Sequence, residues 1–204
     1  MNDVRYPLDW QQVSLGDICY INKHSLPEKT SKEYRFKYID LSSVDKGNIV
    51  FPNQYILFKD APSRARRRIN RNDIIMSTVR PNLKGFALVN FDPSEFICST
   101  GFAVLTAKER TSNRYIYQLL FSKEIEMQIK NMLVGSNYPA INSSDIASLK
   151  IYLPPLSEQE KIAEILGTWD EAIEKLSSLI EHKKLLKKGL MQKLLTGKVR
   201  LFKT

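Results

Sequence analysis

The densest chemistry in this 204-residue chain is a run of arginines: Arg64, Arg66, Arg67 and Arg68, with Arg71 close behind. A guanidinium is planar, always charged and forked. It can grip a phosphate, or meet the O6 and N7 edge of a guanine with two parallel hydrogen bonds. The run has a plainer reading too, a solvated loop whose side chains meet only water. If the segment is a strand, alternate side chains point to opposite faces. Arg64, Arg66 and Arg68 then share one side, and not all the arginines can reach one ligand.

Two further places carry recognition chemistry. Arg80 stands at a strand end leading into Pro81-Asn82-Leu83-Lys84-Gly85, and binding residues gather on such loops. Lys84 adds a second cation there. Gly135-Ser136-Asn137-Tyr138-Pro139 is small and polar with one aromatic. Asparagine pairs with the edge of adenine, and serine with a base or a phosphate. The competing readings are a surface arginine without a partner and an ordinary helix-to-strand turn. A domain that grips a duplex from two sides places Arg80, Lys84, Asn137 and Tyr138 on the face of the arginine cluster.

Catalytic machinery is not assembled anywhere in the sequence. The two histidines, His24 and His182, are not placed to form a triad, and no His/Cys/Asp cluster has metal-ligand spacing. Phosphate-binding glycine loops are missing, as is the Asn-Pro-Pro-aromatic signature of an adenine methyltransferase. No metal site and no catalytic residue is expected. Cys19 and Cys98 are the only cysteines, which suggests no disulfide framework and a reducing cytoplasm. No run of 18 apolar residues suits a membrane span, and Met1-Asn2-Asp3-Val4-Arg5 lacks an apolar signal core. The net charge is +9, yet eight cations (Lys183, Lys184, Lys187, Lys188, Lys193, Lys198, Arg200 and Lys203) lie from Lys183 to the end with no acid among them. Subtracting them leaves +1 for the rest. A polyanion-binding surface in that part must therefore concentrate its positive charge locally. The basic end reads either as a solvated helix end matching its own dipole or as a phosphate-facing strip.

The elements that must position these groups read as a sheet-rich domain. A short strand and turn open the chain at Trp10–Ile18. Arg35–Leu41 alternates with period two, as a half-buried strand does. Asp45-Lys46-Gly47-Asn48 is a turn before a strand at Ile49-Val50-Phe51. Asp73–Val79 is a core strand, and Phe86–Val89, Phe96–Cys98 and Phe102–Leu105 continue the sheet. Asn113–Met132 reads as one helix, with Tyr115, Ile116, Leu119, Leu120, Ile125, Ile129 and Met132 inward. Ser144-Asp145 caps a short turn, and Leu149–Leu153 is a last strand.

Pro154-Pro155 then ends the domain, since neither proline donates to a ladder. Ser157 and Glu160 form a capping-box pattern at a helix start. Ile162, Leu166, Trp169, Ile173, Leu176 and Ile180 follow at steps of 4, 3, 4, 3 and 4, the seam of a coiled coil. It loosens at Lys183-Lys184 and resumes at Leu186, Leu190 and Leu194. A helix from Ser157 to Leu195 is about 55–60 Å long. Such a seam needs a partner helix.

Two stretches of this helix, Pro154-Pro155-Leu156-Ser157-Glu158-Gln159-Glu160-Lys161-Ile162 and Lys187-Lys188-Gly189-Leu190-Met191-Gln192-Lys193-Leu194-Leu195-Thr196-Gly197, resemble the helical spacer of type I restriction–modification specificity (S) subunits. Ser42–Gly47, Pro62–Arg66 through Asp73–Pro81, and Ser99-Thr100-Gly101-Phe102 resemble the target-recognition domain of that family. The usual S subunit carries two such domains and two such helices; this chain resembles a half-length form. The resemblance implies an α+β fold: a mixed-sheet recognition domain over residues 1–153, followed by one long coiled-coil helix over residues 154–204. It implies double-stranded DNA as ligand, with Arg64, Arg66, Arg67, Arg68, Arg71, Arg80, Lys84, Ser136, Asn137 and Tyr138 as candidate contacts. Methyltransferase (M) and restriction (R) subunits are the implied partners, with S-adenosylmethionine and ATP on them and no cofactor on this chain. An antiparallel homodimer through Ile162, Leu166, Trp169, Ile173, Leu176, Ile180, Leu186 and Leu190 completes the expectation, and a bipartite site of inverted half-sites goes with it. The rival readings are a stand-alone dimeric DNA-binding regulator or decoy, and a small nuclease or methyltransferase.

Overall fold

The structure is a computed structural model and describes residues 6–133 and 139–202. Ser136, Asn137 and Tyr138 lie outside the described residues. In chain order the strands are β1 (Gln11–Ser14), β2 (Cys19–Ile21), β3 (Arg35–Ile39), β4 (Val44–Asp45), β5 (Asn48–Ile49), β6 (Ile56–Leu57), β7 (Ala65–Arg68), β8 (Ile74–Ser77), β9 (Phe86–Leu88), β10 (Phe96–Ser99), β11 (Phe102–Ala107) and β12 (Lys150–Leu153). The α-helices are α1 (Leu15–Ile18), α2 (Asn113–Leu120), α3 (Lys123–Met132), α4 (Ser143–Ser148) and α5 (Leu156–Leu194). The chain divides into two compact units, Met1–Lys161 and Ile162–Thr204.

The first unit is built on two four-stranded sheets, β2-β11-β8-β9 and β6-β3-β10-β7. The first is antiparallel throughout, whereas β10 runs parallel to β3 and antiparallel to β7. Burial on both faces explains why β8 is the continuous apolar run Ile74-Ile75-Met76 and not an alternating one. Its alternate residues enter different cores. Ile74 and Met76 meet Phe86, Leu105, Ile116, Leu120, Ile125 and Ile129 on the helical side. Ile75 meets Phe102, Val104, Ile39 and Cys98 on the side of the second sheet. Phe36, Ala65 and Ile97 form a third cluster with Leu26 on the outer face of that sheet. The fold is thus α+β with mixed sheets, followed by a long C-terminal helix.

Several elements depart from the expectations in informative ways. The single helix over 113–132 is two helices. Phe121 and Ser122 interrupt it, and the Ser122 hydroxyl accepts from Ile125 N at 3.3 Å as the N-cap of α3. The strand at 49–51 shrinks to Asn48–Ile49. The cap of α4 is Asn142, whose Oδ1 accepts from Asp145 N at 2.9 Å, while Asp145 Oδ2 accepts from Asn142 N at 2.8 Å.

The long helix also starts one residue early. Gln159 N donates to Pro155 O at 3.0 Å, so the Pro155 carbonyl takes the first i to i−4 bond. Ser157 therefore sits inside the first turn of α5 and not at its cap. Gln159 is 1% exposed and anchors this turn within the first unit. Its Oε1 accepts from Ser112 N at 2.9 Å and its Nε2 donates to Pro154 O at 2.8 Å. Among the described residues no helix is long and apolar enough to cross a membrane.

Candidate nucleic-acid interface

The arginine run lies on β7, at one end of its sheet. Arg68 pairs with Ile97, Arg67 with Cys98, and Ala65 with Ser99, so one extra residue, Arg66, is bulged out of the ladder. That bulge breaks the period-two alternation at Arg66, and the neat grouping of Arg64, Arg66 and Arg68 on one side does not hold. The other edge of β7 is covered by residues 24–26. Ser25 bridges to Arg67, Leu26 N donates to Arg66 O at 2.7 Å, and Arg68 N donates to His24 O at 3.2 Å.

The five arginines separate into two groups. Arg64, Arg68 and Arg71 are exposed. Arg66 and Arg67 are half-buried. The Arg66 guanidinium lies 4.4 Å over the Phe58 ring, and its Nη1 donates to Ala65 O at 2.9 Å. Arg67 Nε is buried without a hydrogen-bond partner, and burial pulls its pKa below the ordinary arginine value. Arg67 would need an incoming acceptor to be satisfied at that nitrogen.

A chain of backbone hydrogen bonds carries the surface from Arg64 to the other candidate loops. Thr100 N donates to Arg64 O at 2.8 Å. Thr78 N and Thr78 Oγ1 both donate to Gly101 O at 2.9 Å. Ile141 N donates to Thr78 O at 2.9 Å, and Arg80 N donates to Pro139 O at 2.7 Å. Residues far apart in sequence thus share one rim, on which Arg64, Thr100, Arg80 and Ala140 are exposed. Gly101 suits a tight approach: a Cβ there would meet the Leu41 side chain at 2.8 Å.

The loop after β8 is held rigidly. Arg80 (φ 49°) and Lys84 (φ 58°) both adopt the left-handed conformation around a 3-10 turn at Pro81–Leu83. Such backbone is uncommon outside glycine and persists where surroundings fix it. Here the Pro139 bond fixes one end. At the other, Lys84 Nζ lies 2.9 Å from Glu126 Oε2, and Lys130 Nζ lies 2.8 Å from Glu126 Oε1. The Lys130 hydrogen bond, then that of Lys84, holds the Glu126 carboxyl at about 2. The Lys84 ammonium is therefore already partnered, and to reach a phosphate it must share that bond.

Two further positions are not legible from local pattern. Thr100 lies on the rim, between two strands that are. A second basic group is hidden in the alternation of β3: Arg35 and Lys37 approach the Tyr55 ring at 4.7 and 4.8 Å. Glu95 sits beside them, 3.1 Å from Lys37 Nζ and accepting the Tyr55 hydroxyl. Pairing with Tyr55 and Lys37 keeps the Glu95 carboxyl below the usual range. The net positive charge of this group therefore falls on Arg35. The pattern Arg-x-Lys on a strand is its only local signal.

Both thiols are buried, and burial pushes Cys19 up to about 12 and Cys98 higher still. Asp73 is buried, accepting from Thr106 Oγ1 and Asn70 N, each at 2.7 Å, and burial raises its pKa. Its bonds fasten β11 to the turn that precedes β8. Among the described residues no group of three His, Cys, Asp or Glu side chains could hold a metal.

In the second unit α5 exposes an apolar face that lysines interrupt at 183 and 187. Leu166, Trp169, Ile173, Leu176, Ile180, Leu186 and Leu190 are all exposed, Trp169 by 67% and Ile173 by 61%. Ile162 is half-buried. Ile165 and Leu179 widen the face beyond a strict heptad seam.

Residues 7–182 match the family described as Type I restriction modification DNA specificity domain. The chain is 32% identical over 200 residues to the putative type I restriction enzyme MjaX specificity subunit of Methanocaldococcus jannaschii, across 96% of this chain and 44% of that protein. It is 26% identical over 178 residues to the type I restriction enzyme HindI specificity subunit of Haemophilus influenzae, across 81% of this chain and 36% of that protein. The crystal structure of the HsdS subunit from Thermoanaerobacter tengcongensis superposes with a TM-score of 0.74 at 34% identity, over 94% of this chain and 50% of that one. The chain thus spans half or less of the length of these relatives. With the match extending over most of its residues, both the sheet domain and much of α5, the chain belongs to the type I restriction modification DNA specificity domain family.

Proposed function

We infer that this chain is a sequence-specific DNA-recognition subunit of a type I restriction–modification complex. The observation that carries this reading is the rim. Four sequence-distant segments, at Arg64, Thr100, Arg80 and Pro139, are joined by backbone hydrogen bonds and present two exposed arginines. Phosphate contacts by Arg68, Arg71 and Arg35 would orient the duplex, and Arg64 and Arg80 would read base edges. Ser136, Asn137 and Tyr138 adjoin Pro139 in sequence and belong to the same proposal. Arg66 and Lys84, whose side chains are held by Phe58 and Glu126, would serve mainly to shape the surface, and the buried Arg67 Nε would take an acceptor from the duplex.

The chain itself performs no chemistry in this reading. The M subunit would supply methyl transfer with S-adenosylmethionine, and the R subunit cleavage with ATP, in the cytoplasm. The exposed face of α5 supports self-association: the burial of its large apolar side chains favours a partner helix. An antiparallel homodimer has two-fold symmetry, so both copies would use the same surface. Two identical readers related in this way call for inverted half-sites around an unread spacer. Purified chain titrated into labelled duplexes of the mapped methylation target and of scrambled sequence tests the reading. A preference of about 1000-fold or more for the target fits a specific reader, and equal affinity for both contradicts it.

A further inference from the structure

We propose that Glu126 withholds the Lys84 ammonium from the phosphate backbone of a bound duplex and so limits sequence-independent affinity; this rests on the DNA-recognition reading above. Residues before Lys183 carry a net charge of only +1. Phosphate contacts by lysine and arginine add affinity for any sequence, whereas base contacts add discrimination. A reader that is sparing with its cations is held less on non-target DNA. Two lysines near the proposed surface each have a glutamate on them. Lys37 Nζ lies 3.1 Å from Glu95 Oε2, and Lys84 Nζ lies 2.9 Å from Glu126 Oε2.

Lys84 is the more telling of the two, because its loop carries Arg80. Leu83 N donates to Arg80 O and Lys84 N to Pro81 O, each at 2.9 Å, so the two cations stand at the ends of one tight turn. Asn82 and Leu83 are exposed at its tip. Lys84 O accepts from Phe86 N at 2.7 Å and from Lys46 N at 3.1 Å, which fixes the left-handed backbone from which the side chain departs. That side chain runs to the corner between α2 and α3. There Nζ lies 3.5 Å from the carbonyl of Phe121, the C-cap of α2, where the negative end of a helix favours a cation. Glu126 completes the hold from α3. Its other oxygen takes Lys130 at 2.8 Å, and the carboxyl, at about 2, is charged at any pH near neutrality. The three side chains together carry +1. Glutamine at 126 would leave +2 and release Lys84, whose flexible stem starts at the end of the turn that bears Arg80.

The salt dependence of binding tests this, because a purely structural role for Glu126 does not alter the number of phosphate contacts. Fluorescence anisotropy on a labelled scrambled duplex, over about 50–200 mM salt, is measured for four forms of the 204-residue chain. They are the native chain, Glu126→Gln, Glu126→Gln with Lys84→Gln, and Glu126→Gln with Lys130→Gln. Glu126→Gln should bind roughly fivefold tighter at the low-salt end and steepen the salt slope by about 0.9, one added contact. Removing Lys84 as well should return the slope to native, and removing Lys130 instead should keep it steep. The two double variants have equal net charge, so bulk charge cannot separate them. Unfolding would weaken binding, opposite in sign to the expected gain. A native slope in Glu126→Gln, a steep slope that survives loss of Lys84, or one that vanishes with Lys130 overturns the proposal and leaves DNA recognition standing. A native chain that binds no duplex, target or scrambled, overturns the recognition reading and this proposal with it.

Discussion

Arg80 N donates to Pro139 O at 2.7 Å, joining the loop after β8 to the segment that precedes α4. The left-handed backbone of Arg80 is anchored by this bond, and its exposed guanidinium is carried on a rigid mount. That relationship makes the first prediction specific. Arg80→Ala and Arg64→Ala each weaken binding to the cognate duplex by about 1–3 kcal/mol if the arginine makes a bidentate base contact, with relaxed selectivity at one base pair. An arginine that meets only phosphate instead weakens all sequences alike and lowers the salt slope by about one unit. Fluorescence anisotropy over a salt series separates the two cases. Unchanged binding in both variants removes the rim from the interface.

Arg66 and Arg64 differ in what their loss does to the fold. Arg66 rests on Phe58, so Arg66→Ala should cost about 0.5–1 kcal/mol of unfolding free energy from the lost cation–π contact. The exposed Arg64→Ala should leave stability within about 0.5 kcal/mol of native. Urea unfolding of the two variants decides the point, and equal midpoints would contradict the assigned roles.

The Glu126 carboxyl, held at about 2 by Lys130 and Lys84 against an ordinary value of 4.5, makes a pH signature. A depressed acid stabilises the folded state above its unfolded pKa, and that contribution is lost as the pH falls through the folded value. The native chain should therefore lose more stability than Glu126→Gln between the ordinary carboxylate range and about pH 2. The gap between the two urea midpoints is widest near neutral pH and closes on acidification. A gap independent of pH would contradict the pairing.

Self-association rests on the exposed face of α5. Each large apolar side chain is worth about 1.5–3 kcal/mol on full burial, and each substitution occurs twice in a dimer. Trp169→Glu or Ile173→Glu should weaken dimerisation by about a hundredfold or more. The thermal transition of the sheet domain should stay in place. Light scattering and calorimetry on the same samples read both quantities.

Local pattern made α5 legible: a diproline stop, heptad steps and a one-sided apolar stripe are all written in one unbroken stretch of sequence. The core strands β8 and β11 were legible for a similar reason, since a strand buried on both faces is apolar throughout. Non-local pairing hid the rest. The bulge at Arg66 exists because β7 meets Cys98 and Ser99 on β10, a strand remote from it in sequence. No feature of the arginine run announces that partner. Nothing beside Lys84 in the sequence announces its partner, because Glu126 stands on α3, with three strands and a helix between them in the chain. The break at Phe121-Ser122 had a local signal, a serine before Lys123-Glu124. The apolar spacing across it outweighed that signal.

Selection from a random double-stranded DNA library with the purified 204-residue chain tests sequence-specific recognition by a symmetric dimer most directly. The account predicts enrichment of two inverted copies of one short motif, separated by a spacer of fixed length and free sequence. Arg64→Ala or Arg80→Ala should degrade both copies equally. A library that emerges unenriched, or that yields a single asymmetric motif, would contradict it.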